Sequence, residues 1–147
     1  MLLESAKESE AFGRTLGERT RAGDVIALFG DLGAGKTTLS RGILRGAGFE
    51  GEVASPTFPI VLIYDDPELR LPVWHVDLYR IEDGTELEEL ALDEARADCL
   101  LLVEWPERMG ALLWEDALRL RLSVAGEGVR ALTAELPPAW KDRWPKQ

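Results

Sequence analysis

The sequence predicts an α/β protein, with a mixed, mostly parallel central sheet flanked by helices and extended at its C-terminal end by an antiparallel hairpin. Three observations carry this expectation. The apolar run Val25-Ile26-Ala27-Leu28-Phe29 suits a strand buried on both faces, and it passes through a glycine-rich turn into a segment of helical period. A second apolar run, Leu100-Leu101-Leu102-Val103, ends in the acid Glu104. Two segments of alternating polarity, 117–124 and 129–136, flank Ala125-Gly126-Glu127-Gly128, which is hairpin chemistry. A length of 147 residues with 46% hydrophobic content suits one domain spanning 1–147.

In chain order, Ser5 to Arg21 reads as an amphipathic helix with Ala6, Phe12 and Leu16 near one face, interrupted by Gly13 and Gly17. Ala22-Gly23-Asp24 turns into the first buried strand. The segment Gly30-Asp31-Leu32-Gly33-Ala34-Gly35-Lys36-Thr37-Thr38 then matches G-x-x-x-x-G-K-[ST] between a strand and a helix, which identifies a phosphate-binding loop and a P-loop NTPase-like domain. Its glycines permit backbone angles that let successive N–H groups curl around an anion, and the helix N-terminus behind them adds positive potential. Lys36 is placed to reach the β- and γ-phosphates, the Thr37 hydroxyl to bind Mg²⁺, and Thr38 to lie near the α-phosphate.

Beyond a glycine-rich connection, Ser55-Pro56-Thr57-Phe58 suits either a proline-containing turn or a switch in which Thr57 reports on the nucleotide. Residues 59–64 and 73–79 read as strands. In the second, alternation sets Trp74, Val76 and Leu78 on one face and His75, Asp77 and Tyr79 on the other. An acid inside a strand must be solvated, paired or metal-bound, which singles out Asp77, with Arg80 a candidate salt-bridge partner. Residues 85–89 suit a short helix in an acidic stretch that reads as a solvated face. Glu104, at the end of a buried strand downstream of a phosphate loop, is a candidate Mg²⁺ ligand, and Trp105 follows beside it. Pro106 to Trp114 suggests a short helix. The hairpin resembles scaffold more than active site, and the tail 137–147, with Trp140 and Trp144, either wraps the domain or docks on a partner.

Composition narrows the function. A formal net charge of −10 opposes direct binding of DNA or RNA, since phosphate neutralisation by Lys and Arg supplies most such affinity. No apolar run approaches the length of a membrane span and no signal sequence is evident, so a soluble, cytoplasmic protein with no membrane association is expected. Cys99, the single cysteine, lies in an apolar run and reads as a small buried hydrophobe. Without an N-K-x-D guanine-reading sequence, GTP is disfavoured.

Four motifs in order, 24–38, Ser55-Pro56-Thr57-Phe58, His75-Val76-Asp77-Leu78-Tyr79-Arg80 and Glu104-Trp105-Pro106, resemble the bacterial TsaE (YjeE) family over about residues 5–108. The resemblance implies an ATPase using ATP and Mg²⁺ in the threonylcarbamoyl modification of adenosine 37 of tRNA, working with the TsaB and TsaD proteins and meeting tRNA only through that complex. Carried over residue by residue, it implies phosphate binding by Lys36 and the loop backbone, Mg²⁺ binding by Thr37 and Glu104, a switch-like place for Thr57, a catalytic acidic role for Asp77, and Trp105 beside the nucleotide. A single-domain P-loop protein lacking an evident finger arginine is expected to turn over slowly alone, with a partner completing the site. A small-molecule kinase and a non-hydrolytic nucleotide switch are the competing readings.

Overall fold

In the computed structural model, residues 1–31, 33–54 and 60–145 are described. Among these residues seven strands form one sheet, β1 (Leu2–Leu3), β2 (Val25–Phe29), β3 (Val61–Tyr64), β4 (Val73–Asp77), β5 (Leu100–Glu104), β6 (Leu118–Gly126) and β7 (Val129–Glu135). Their spatial order is β1-β7-β6-β2-β5-β4-β3. The central strands β6, β2, β5 and β4 run parallel, while β3, β7 and β1 pair antiparallel at the two sides. The mixed, mostly parallel sheet with a C-terminal antiparallel extension is the fold expected from the sequence. Every residue of β2 and β5 is buried, so a continuous apolar run is what such strands require. β6, farther out, alternates through its first half, with Leu118, Leu120 and Leu122 inward.

One face of the sheet is covered by α1 (Ala6–Glu18) and α2 (Lys36–Ala47). Leu16, Leu39, Ile43 and Leu44 pack there against Ile26, Leu28, Leu100, Leu102 and Leu118. The side chain of Ser5 caps α1 by accepting from the Glu8 N–H at 3.1 Å. The glycines that weaken the helical pattern of α1 have a packing cause. A Cβ on Gly17 would overlap the Ile43 carbonyl oxygen, and one on Gly46 the Arg14 carbonyl oxygen, so the two helices meet backbone to backbone. The Arg70 guanidinium closes the ends of both, donating to the Gly17 carbonyl at 2.5 Å and the Gly46 carbonyl at 3.5 Å.

The opposite face is covered by α3 (Gly84–Glu89), α4 (Leu92–Arg96) and a 3-10 segment, Pro106–Leu112, starting where the sequence suggested a short helix. Leu87, Leu92, Met109 and Leu113 pack there on Val25, Ala27, Phe29, Val76, Leu101 and Val103. Cys99 is buried as expected. β1 was not anticipated, because two residues carry no readable period; it adds to β7 with Leu2 opposite Ala131. The described part of the tail wraps the domain. Trp140 is only 1% exposed, Trp144 meets Phe12 edge-on at 5.5 Å, and Arg143 donates to both Asp24 oxygens at 2.7 and 3.0 Å.

Candidate functional site

The C-terminal ends of β2, β5 and β4 lie side by side, which in an open parallel sheet is where ligands bind. β2 ends at Phe29 and opens into the phosphate loop, β5 ends at Glu104 and β4 at Asp77. Register aligns Leu28, Glu104 and Asp77 across the three strands, so the two carboxylates occupy neighbouring strands beside the loop. Strand alternation turns both toward the face that carries α2. His75 is on the same face, two residues before Asp77.

Gly30, Gly33 and Gly35 hold φ values of 151°, 82° and 99°. Gly35, as the cap of α2, needs the left-handed region that glycine enters freely, and it delivers Lys36 as the first helical residue. Lys36 is 6% exposed, and its Nζ is buried without a hydrogen-bond partner among the described residues, lying 4.4 Å from the Trp105 ring centroid. A cation–π contact offsets only part of the cost of desolvating an ammonium group. The position therefore calls for an anion. Thr37 is exposed at the start of α2, Thr38 is half-buried, Ala34 is buried and Asp31 is exposed. Leu32 and Thr57 lie outside the described residues.

Glu104 is 5% exposed and one of its oxygens lies 2.6 Å from His75 Nε2, with the imidazole fully buried. When Glu104 is ionised it can only accept, so Nε2 carries the proton and donates, which fixes the carboxylate's rotation. His75 Nδ1 is buried without a partner among the described residues. Asp77, also 5% exposed, accepts the Tyr79 N–H at 2.9 Å. Burial pushes the Asp77 carboxyl above its ordinary value, the bond from Tyr79 pulls it down, Glu104 raises it, and Lys36 and His75 lower it. Trp105 stands at φ 57°, an uncommon conformation for a residue with a side chain. That sharp turn immediately after β5 brings its ring over Lys36 and within 4.9 Å of the Tyr79 ring.

Among the described residues no group of three or more His, Cys, Asp or Glu side chains is arranged to hold a metal by itself. The residues present still fit Mg²⁺, which is commonly bound through one or two carboxylates together with substrate phosphates. Glu104 and the Thr37 hydroxyl supply oxygen donors of that kind, and the Lys36 ammonium, without a partner among the described residues, is matched to the phosphates.

The structure thus brings Lys36, Asp77, Glu104, Trp105 and the described part of the loop to one end of the sheet. Two contacts lay beyond local pattern. Alternation put His75 on the Asp77 face but named no partner for it; the structure makes it the direct hydrogen-bond partner of Glu104. Arg130 of β7 was absorbed into a hairpin read as scaffold, but its Nη2 donates to the Gly33 carbonyl of the phosphate loop at 3.1 Å. No local pattern signals a contact across 97 residues.

The sequence model of the family described as threonylcarbamoyl adenosine biosynthesis protein TsaE matches residues 3–132. The tRNA threonylcarbamoyladenosine biosynthesis protein TsaE of Streptomyces coelicolor is 46% identical over 114 residues, covering 77% of each chain. The protein of the same name from Bacillus subtilis is 39% identical over 128 residues, covering 86% of this chain and 78% of that one. The crystal structure of Bacillus subtilis YdiB superposes with a TM-score of 0.81 at 30% identity, covering 97% of this chain and 88% of that one.

Proposed function

The chain belongs to the TsaE family, and from that premise we propose that it binds ATP with Mg²⁺ and hydrolyses it in support of threonylcarbamoylation of adenosine 37 in tRNA. The observation that carries the reading is the buried Lys36 ammonium, which lacks a hydrogen-bond partner among the described residues at the mouth of a glycine-built loop. A triphosphate supplies the missing anion, and the loop N–H groups with the α2 N-terminus complete its cradle. Mg²⁺ bound by Thr37 and Glu104 would neutralise charge developing on the transferred phosphoryl group.

His75 holds the Glu104 carboxylate in one orientation, which removes a rotational freedom that would otherwise be lost on binding. Asp77 and Glu104 are the two carboxylates available to orient the attacking water. Raised proton affinity at Asp77 suits it to accept a hydrogen bond from that water while staying on the strand end. The Trp105 ring lies against the Lys36 ammonium, 4.4 Å from its Nζ. The proposed partners are the TsaB and TsaD proteins. With a net charge of −10, the chain is suited to meet tRNA through that complex rather than by gripping RNA itself. The proposed location is the cytoplasm, and no helix among the described residues is long and apolar enough to cross a membrane.

The test is reconstitution of tRNA modification with TsaB and TsaD, with and without this protein, scoring phosphate release beside modified product. Slow ATP turnover alone, faster turnover in the complex and modification that depends on this chain are expected, with Lys36→Ala losing nucleotide affinity and turnover. Fast turnover in isolation, or a Lys36→Ala variant with full affinity and activity, overturns the reading. Phosphate passed to an added acceptor points instead to a kinase. Nucleotide-dependent docking and modification unaffected by Glu104→Gln and Asp77→Asn point to a non-hydrolytic switch.

A further inference from the structure

Arg130 lies near the start of β7, in the hairpin beyond the family's P-loop, Asp77 and Glu104 motifs. Its guanidinium bridges two elements. Nη1 donates to the Val129 carbonyl of its own hairpin at 3.1 Å, and Nη2 to the Gly33 carbonyl of the phosphate loop at the same distance. The side chain also lies along Gly35, where a Cβ would meet Arg130 Nε at 3.4 Å, Cγ at 3.5 Å and Cδ at 3.7 Å. Nε is buried and has no partner among the described residues. Gly33 and Gly35, the two residues flanked in this way, both have positive φ.

From this geometry we infer that Arg130 is a positioning residue, which holds the phosphate loop in its binding shape by tethering the Gly33 carbonyl to the C-terminal hairpin. A glycine-rich loop has many accessible conformations, and in most of them some carbonyl oxygens face the space that an anion must fill. An oxygen engaged by a cation outside the cradle cannot turn into it. The tether therefore orders the loop before nucleotide arrives, and the ordering cost is not charged against binding. Arg130 acts through Gly33, so its effect falls equally on every ligand that uses the cradle. An arginine finger differs, because it acts on charge present only during transfer.

This inference rests on the nucleotide reading above, and the experiment separates the two. Affinities of the full chain for ADP and ATP are measured by calorimetry for wild type, Arg130→Ala and Arg130→Lys, together with turnover at saturating ATP in the presence of TsaB and TsaD. Amide hydrogen exchange is followed across the loop and across the β6–β7 hairpin. Loss of one charge-assisted hydrogen bond predicts roughly 10- to 100-fold weaker binding of both ADP and ATP by Arg130→Ala. Turnover at saturation should stay within about twofold, since the bound nucleotide itself orders the loop. Exchange should quicken at Gly33 to Lys36 and stay unchanged at Leu118 to Leu122, and Arg130→Lys should recover most of the affinity.

Unchanged ADP and ATP affinity in Arg130→Ala overturns the inference while leaving the nucleotide reading intact. So does a loss of turnover with ADP affinity preserved, which would make Arg130 a charge acting in the transition state. Equal quickening of exchange in the loop and throughout the hairpin overturns it as well, because the residue would then be general support. A wild-type chain with no affinity for ADP or ATP overturns the nucleotide reading and this inference together.

Discussion

The His75–Glu104 pair offers the sharpest quantitative test, because its two side chains are 1% and 6% exposed and meet at 2.6 Å. In His75→Ala the carboxylate stays in place and loses its partner. A hydrogen bond to a charged group contributes about 1.5–3 kcal/mol, and stranding a nearly dry charge raises the total cost to about 3–5 kcal/mol. For a chain of this size each kcal/mol lowers Tm by roughly 2–4 °C, so the variant should melt roughly 6–20 °C below wild type. Glu104→Ala removes the charge that required pairing, and adding His75→Ala to it should cost much less than His75→Ala alone. The double-mutant cycle, read by urea unfolding at pH 7, should therefore give a coupling energy of about 2–3 kcal/mol. A coupling below about 0.5 kcal/mol would refute the claim that His75 holds Glu104, whatever the single variants do.

Three further outcomes follow from the packing and electrostatics. Asp77 has a folded-state pKa above its ordinary 3.8, so between the two values the folded chain holds a proton that the unfolded chain has released. Stability contributed by this group therefore falls as pH rises through that window. Asp77→Asn should gain in Tm relative to wild type on going from about pH 3 to neutrality, and a constant difference across that range contradicts the assigned cause. Gly17→Ala should force α1 away from the Ile43 carbonyl, at a cost of about 1–3 kcal/mol visible in thermal unfolding, and a neutral result would show that the helices are not in backbone contact. Burial, with the neighbouring Asp98, pushes the Cys99 thiol up to about 11, so a thiol reagent at pH 8 should label it only as the chain unfolds. Fast labelling of the native protein would contradict that burial.

Much of the fold was legible because period reports burial directly. β2 is apolar throughout, and β5 is apolar up to its terminal Glu104, since both faces of a central parallel strand are covered, and β6 begins with alternation where the covering thins. Helix α1 was readable despite Gly13 and Gly17, though the reason for those glycines was not; the partner they accommodate, α2, is a separate stretch of chain. The two-residue β1 had no signal of its own, because its strand conformation comes from the edge of β7.

The phosphate loop, its strand-loop-helix setting and the acids at the ends of β4 and β5 are legible in the chain alone, since each is a local pattern whose chemistry depends on a few adjacent residues. Which of these groups touch depends on the folded arrangement. Sheet order placed Asp77 and Glu104 on adjacent strands beside Lys36. Strand register paired His75 with Glu104, the turn at Trp105 laid an indole over the Lys36 ammonium, and the returning hairpin brought Arg130 to Gly33. These pairs lie 27 to 97 positions apart, and such distances are closed by sheet pairing and core packing rather than by any preference written into the neighbouring residues.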